Sequence, residues 1–472
     1  KNVTVDENVS KINECAFRGT KIEKIELSGG RADADTSLTI AMDAFSDCNH
    51  LEDITGGYRV SEVGWYAFDS CVNLKNMDIG MGLKKIDNAF KGCRSLRKIC
   101  LSNKIEDING EAFSNGACKE FSVEDGSESY KSIDGCLYKI VDSEKDNLKL
   151  MYAANTTDFK YATPENVTEA DMCAFRGRDN IKEIDIGGEI EELSWYSLIN
   201  CSNLETLKLS SKLKSFDRDM TAYSFDNDLT NLKNIIVDEG NTEYESYNNE
   251  LFEKGKKNLI LLPYGSDSIV IPKETEYICG GIAKNKFKNI KVEDGNKYFS
   301  VNSNVLYNKD ITEIIIFPSY KTTYTLPATL KEFPSMTYRY TEDYLDIEGE
   351  AWITRADENM ECVKVAKGNK VYKAVDGVLY LKNTKQLEYY PPAKKGSYKI
   401  IEGTKYVNNA AFIYTKYLTS LTVPDSVKSI IISPKDSKSL KEITVPVKCK
   451  VIKMTKREGS GVKVYRSLVL KC

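Results

Sequence analysis

The sequence predicts a strand-rich α/β repeat, a single elongated solenoid in which short strands stack side by side. Two observations predict it. The dipeptide Ala-Phe recurs at Ala16-Phe17, Ala44-Phe45, Ala67-Phe68, Ala89-Phe90, Ala112-Phe113, Ala174-Phe175 and Ala411-Phe412, and the Phe residues from Phe45 to Phe113 are 23, 22 and 23 positions apart. After each aromatic comes a pattern apolar-x-x-apolar-x-apolar, as in Leu74/Met77/Ile79, Leu96/Ile99/Leu101 and Leu204/Leu207/Leu209. A fixed period of roughly 20 to 50 residues marks a repeat array whose units cannot bury their apolar faces alone.

The elements of one copy follow from its residue types. The last two apolar positions lie two apart, the spacing of a strand with one face buried. Three residues after the aromatic stands Cys48, Cys71, Cys93 or, after Leu198 in the degenerate copy Tyr196-Ser197-Leu198, Cys201. A Cys at a fixed repeat position is expected to act as a small buried hydrophobe. The Ala-Phe-x-x-Cys segment is expected to make a helical turn, with Ala letting neighbouring coils approach and Phe filling the interior. The strands are expected to form one continuous parallel sheet.

Composition bounds the function. Hydrophobic residues make up 41% and charged residues 29%, enough for a core and too ordered a mixture for a disordered chain. The net charge is −4, with Lys and Arg read as spread among the acids, which argues against a nucleic-acid partner. No apolar run approaches the roughly 20 residues of a membrane helix. The chain starts at Lys1 rather than Met, so a preceding segment, which would carry any secretion signal, is expected. Thirteen Cys, an odd number with no CxxC, and a single His leave neither a disulfide framework nor a zinc site.

The spacing Ile-x-x-x-x-Ala-Phe-x-x-Cys-x-x-Leu-x-x-Ile, best seen in Val63 to Met77 (VGWYAFDSCVNLKNM) and Ile86 to Ile99 (IDNAFKGCRSLRKI), resembles the BspA-type leucine-rich repeats of bacterial cell-surface proteins. The resemblance covers copies from about residue 5 to 445. It implies a right-handed leucine-rich-repeat solenoid with a curved parallel β-sheet, short helical turns and β-hairpin insertions. It also implies an extracellular or cell-surface location and binding to host matrix proteins or other cells.

A second unit interrupts the first. It opens Gly126…Tyr130, Gly240…Tyr244, Gly295…Tyr298 and Gly368…Tyr372, and continues with Leu137-Tyr138, Leu251-Phe252, Leu306-Tyr307 and Leu379-Tyr380. We read these as hairpin insertions near 125–164, 240–275, 295–330 and 368–404 within a solenoid spanning 1–446. Apolar alternation on both sides of Arg457-Glu458-Gly459-Ser460-Gly461 predicts a capping hairpin at 447–472 over the last sheet edge.

Candidate chemistry is sparse. His50 stands two residues after Cys48, but Cys48 fills the same slot as Cys71 and Cys93, which have no His nearby. Glu124-Asp125 and Glu293-Asp294 recur before Gly at matching places and read as turn punctuation rather than acid/base pairs. Gly29-Gly30, Gly56-Gly57 and Gly187-Gly188 follow repeat strands and read as turn glycines, not phosphate loops. No enzyme, cofactor or metal site is expected.

Strand geometry gives the contact residues. Side chains between buried strand positions face outward, which places Lys24, Glu26, Asp78, Lys98, Glu183, Asp185, Lys208, Lys291, Lys364 and Glu442 on one polar face of mixed charge. The cluster Tyr338, Tyr340 and Tyr344 falls outside both repeat patterns and is a second candidate surface. The expected function is non-catalytic adhesion through a protein partner. The alternative is a surface glycan-binding protein of a polysaccharide uptake system that uses the tyrosines. Nothing in the sequence implies an oligomer.

Overall fold

The computed structural model describes the chain apart from residues 29–36, 79–81, 110, 117, 157–159, 217–228, 264–265, 280–286, 319, 334–336, 341–344, 349–358, 384, 409–410, 413–414, 433–436, 438, 454–462 and 468–472. It divides into two compact units, Lys1–Lys254 with Leu262–Tyr264, and Gly255–Leu261 with Gly265–Cys472. Both are parallel-strand solenoids of many turns.

Each coil of the first unit carries two strands, not one. The first row runs Asn2–Val5, Lys24–Leu27, Asp53–Thr55 and Asn76–Met77, all parallel and in apolar register: Ile25 pairs with Ile54 and Ile54 with Met77. The second row runs Lys11–Ile12, Leu38–Ile40, Val60–Val63, Lys85–Asp87 and Asp107–Asn109. It is seeded by the apolar residue just before the Ala-Phe turn, Ile12, Ile40, Val63, Ile86 and Ile108, each of them buried. The expected single sheet is therefore two. Strands of two or three residues are too short to show a period of two in the sequence.

Between the rows, the Ala-Phe segment is not α-helical, and among the described copies the expected helical turn is a 3-10 turn at the degenerate one, Trp195–Leu198. Among the described residues there is no α-helix, only short 3-10 segments at Gly57–Arg59, Trp195–Leu198 and Lys254–Lys256. The hydrogen bonds explain why. In the second copy the N–H groups of Ser46 and Cys48 donate back three residues, to Asp43 and Phe45 (3.1 and 3.2 Å). Those of Asp43, Phe45 and Asp47 donate to Trp65, Ala67 and Asp69 of the next coil (2.9, 2.8 and 2.9 Å). A helix would turn every N–H along its own axis, whereas here alternate ones are needed by the neighbour. The alternation requires left-handed backbone at Asp43 (φ 56°) and Asp47 (φ 61°), and Asp tolerates that region better than most residues.

Inside the turns the Phe rings form a ladder. Phe17, Phe45, Phe68, Phe90 and Phe113 stack with centroids 5.1, 5.2, 5.2 and 5.6 Å apart and planes within 7° of parallel. Beside it, each thiol donates to the Phe carbonyl one coil back: Cys48 to Phe17 (3.0 Å), Cys71 to Phe45 (3.2 Å), Cys93 to Phe68 (3.2 Å) and, further on, Cys201 to Phe175 (3.0 Å). The Cys is thus a hydrophobe with a donor. Ser437 makes the same bond to Phe412 (3.2 Å).

The interrupting units are antiparallel hairpins, such as Tyr130–Ile133 with Cys136–Asp142 and Tyr372–Val375 with Val378–Leu381. Three of them are stitched to the preceding coil by a buried Asn that follows the Gly. Asn369 donates to Pro327 and Leu330 carbonyls (2.8 and 3.0 Å) and accepts from the Val371 and Tyr372 N–H groups (2.9 and 2.7 Å). Asn241 and Asn296 make the same four bonds. The Tyr hydroxyl then accepts a strand N–H of the second row: Tyr130 from Ile108, Tyr244 from Phe216 and Tyr372 from Phe333. In the third unit the matching residue is Phe299, buried, rather than Tyr298, which is exposed. The sequence pairing Gly295…Tyr298 is one residue out because Phe stands at the buried position, four after the Gly as in the other hairpins, and Tyr298 is its exposed neighbour.

The end of the chain also departs from expectation. Lys450–Lys453 pairs parallel with Ser429–Ile432, and Lys463–Ser467 pairs parallel with Glu442–Pro446. The two strands Lys450–Lys453 and Lys463–Ser467 therefore extend the two rows instead of pairing with each other as a hairpin; apolar alternation is the same in either pairing.

Replacing Phe68 by Ala should lower unfolding free energy by about 3–5 kcal/mol in denaturant titration, since its ring is fully buried between two others. Cys71→Ser should cost less than Cys71→Val: the hydroxyl can keep the bond to Phe45, whereas Val leaves that buried carbonyl without its donor.

Candidate functional site

The predicted charged contact residues lie on or beside first-row strands, seven in the first unit and three in the second. Lys24, Glu26, Asp78, Lys98, Lys291, Lys364 and Glu442 are exposed, and Glu183, Asp185 and Lys208 are half-buried. Many are tied to the neighbouring rung. Lys24 pairs with Asp53 (3.1 Å), Lys98 with Glu120 (2.7 Å), and Lys208 with both Glu183 (2.7 Å) and Asp185 (3.8 Å). Such exposed pairs stabilise by at most about 1 kcal/mol each. Asp78 has a backbone role, its carboxylate accepting the Gly56 N–H (3.3 Å) at a left-handed turn (φ 73°).

Besides the gaps at the hairpins, the row is interrupted between two coils that carry no hairpin. Asn76–Met77 pairs back to Asp53–Thr55, and Lys98–Leu101 pairs forward to Glu120–Val123, but among the described residues no ladder joins the two. The second row and the Phe ladder continue across the same coils, so the break belongs to this face alone. A depression of about 630 Å³ lies there. Half-buried Met77 is an apolar side chain in its lining, and Lys75, Asp78, Arg97 and Lys98 surround it. The structure thus brings Asp78 and Lys98 to one depression. Lys75 and Arg97 were missed from sequence because they precede the strand positions used to find the outer face.

Tyr338 and Tyr340 lie on a hairpin strand, Thr337–Tyr340, paired antiparallel with Leu345–Glu348. Their side chains, and Tyr344 altogether, lie outside the described residues, as do Ile79 and Gly29-Gly30.

The catalytic candidates resolve into structural roles. Cys48 spends its proton on the Phe17 carbonyl while His50 is exposed. Glu124 accepts the Asn103 N–H (3.2 Å) and Glu293 the Lys273 N–H (3.0 Å), the same turn contact in two coils. Among the described residues no cluster of His, Cys, Asp or Glu could hold a metal ion, and no helix is long and apolar enough to cross a membrane. Burial pushes the Cys118 and Cys173 thiols up to about 12 and Cys71 and Cys93 higher still, which suppresses the reactive thiolate.

Two charged features were not foreseen. Glu111 accepts from Lys91, Arg176 and the Tyr196 hydroxyl, and the Arg176 guanidinium lies 3.9 Å from the Tyr196 ring centroid. This network ties coils on either side of the first hairpin. Arg178, fully buried, fills the slot used elsewhere by Cys and donates to the carbonyls of Ala153 (2.6 Å) and Gly116 (3.1 Å).

Glu250 is buried at the position that is Cys136, Val305 and Val378 in the other hairpins, and its Oε2 lacks a hydrogen-bond partner. Burial raises its carboxyl to about 8 from an ordinary value of 4.5. The folded state therefore holds a proton that the unfolded chain releases, so stability falls as pH rises from about 4.5 to about 8. Glu250→Val should remove this dependence, raising stability at pH 8 by on the order of 2–4 kcal/mol while changing it far less near pH 4, as read by thermal melts.

No curated protein matches the chain at a significant level. Solved structures similar to it include a leucine-rich cell-surface protein from Faecalibacterium prausnitzii A2-165 (13% identity, 97% of this chain and 88% of that one, TM-score 0.26). Another is the pneumococcal vaccine antigen PcpA (15% identity, 99% and 89%, TM-score 0.27). A third is a leucine-rich-repeat protein from Eubacterium ventriosum (18% identity, 69% and 68%, TM-score 0.23). The profile of the BspA type leucine-rich repeat region matches six copies, over residues 1–36, 32–139, 152–258 and 394–456, most of the chain. With the repeating Phe, Cys and Leu positions all inside the coils, the chain belongs to the BspA-type leucine-rich repeat family.

Proposed function

We propose that the chain is a non-catalytic binding protein of a bacterial cell surface that holds a protein partner against the outer face of its first strand row. The family supports the location and the binding role. The observation that carries the choice of face is the broken ladder. At that place, among the described residues, no ladder joins Asn76–Met77 to Lys98–Leu101, and half-buried Met77 lies beside Lys75, Arg97 and Lys98 in one depression. A depression with a charged rim around an apolar side chain is what a protein segment can dock on. The non-catalytic part rests on the sites themselves: the one carboxyl of strongly raised pKa among the described residues, Glu250, has no partner acid or base beside it.

Binding of the whole chain to an immobilised panel of extracellular-matrix proteins tests this. The variant Lys75→Glu/Arg97→Glu/Lys98→Glu should bind its partner roughly tenfold or more weakly, mainly through slower association. Unchanged affinity in a folded variant would rule this face out.

A further inference from the structure

The net charge of −4 conceals a segregation. The first unit holds 30 Lys and Arg against 47 Asp and Glu, and the second holds 36 against 23. Within residues 364–472 the imbalance is steeper, 23 bases to 7 acids. The bases are therefore not spread evenly among the acids, and the whole-chain sum misleads. A ligand touching the second unit feels charges within the screening length of about 8 Å at physiological salt, not the sum over the chain.

The repeat geometry turns this excess into a column. The turn entering the second strand row carries paired opposite charges in the first unit, Lys84 with Glu106 (3.6 Å) and Glu191 with Lys214 (2.5 Å). In the second unit the same turn carries Lys385 and Lys405 on adjacent rungs, the Lys405 N–H donating to the Lys385 carbonyl (2.9 Å). Lys428 holds that position in the following coil, after the matching i→i+3 turns at Thr404 and Val427. All three are exposed, and none forms an ion pair among the described residues. Like charges on neighbouring rungs, about 4.8 Å apart, repel one another, and an anion lying along the column removes that cost. Tyr406, 61% exposed, stands beside Lys405 and offers a ring face.

We propose that the second unit binds a linear anionic polysaccharide along the column Lys385–Lys405–Lys428, with carboxylate or sulfate groups against the ammonium groups and a sugar ring against Tyr406. The composition of the basic stretch favours this over nucleic acid. It has 21 Lys and only 2 Arg, so it lacks the planar forks that read phosphates and bases bidentately and offers point charges instead. The site uses residues other than those of the protein-binding face and stands or falls separately from it.

The test uses the whole chain with heparin as the sulfated probe, polygalacturonate as the carboxylated one, neutral dextran, and duplex DNA, all at 0.15 M salt. Binding to either polyanionic sugar, absent for dextran and weakening steadily with added salt, is expected, and the probe that binds names the anionic group. Lys385→Glu/Lys405→Glu/Lys428→Glu should lose roughly ten- to a hundredfold in affinity. The Lys→Gln triple should lose less, and it keeps the test valid if the Glu triple melts early. Four results would overturn the proposal: no binding to either sugar, tighter binding to DNA, unchanged affinity in both triples, or a salt-sensitive self-association in sedimentation that accounts for the retention.

Discussion

The first four Ala-Phe turns of this chain depend on the next coil for part of their hydrogen bonds. There alternate N–H groups close the local turn and others point along the stack, as Asp43, Phe45 and Asp47 do toward Trp65, Ala67 and Asp69. A coil by itself would leave those groups unpaired and one face of its Phe ring bare. The stacked Phe ladder and the thiol-to-carbonyl bonds beside it answer both deficits at once. This explains why Ala, Phe and Cys recur together. Ala is buried where adjacent turns meet, Phe covers its neighbour, and Cys is small enough for the slot yet keeps a donor.

The hairpins break this regularity, and the structure shows what is needed to resume it. A second-row strand that loses its neighbour is met by a tyrosine hydroxyl, and the hairpin's entry is held by an Asn whose four hydrogen-bonding positions are all used. Around the first hairpin, Glu111, Arg176 and Arg178 bridge coils that simple stacking no longer joins. The abundance of Tyr thus has a largely structural origin: Tyr138, Tyr307 and Tyr380 each meet a Tyr of the strand after next, hydroxyl to hydroxyl.

Because the repeat consumes inward positions and leaves outward ones free, function is carried by what varies on the surface. The first unit pairs most of its outer charges rung to rung. Where the first strand row is interrupted between hairpin-free coils, Lys75, Arg97 and Lys98 gather around Met77 in one depression. In the second unit the same scaffold positions carry unbalanced lysines. One fold therefore supports two surfaces of different chemistry, which whole-chain averages hide.

The sequence by itself determined the repeat, its period, its inward residues and its family, because those depend on spacing along the chain. It also determined which strand residues face outward, since a strand alternates its side chains whatever lies beside it. It identified the hairpins through Gly, aromatic and turn residues, with the offset wrong where Phe299 replaces Tyr. Only the tertiary structure decided that each coil has a second strand, that the Ala-Phe turn shares its hydrogen bonds between coils, and that the last two strands extend the two rows. It likewise decided that Asp78 and Lys98 meet Lys75 and Arg97 across a gap. The physical reason is common to all four: backbone pairing between coils is a relation between residues about 22 positions apart, and nothing in a local pattern records whether that pairing is made, shared or broken.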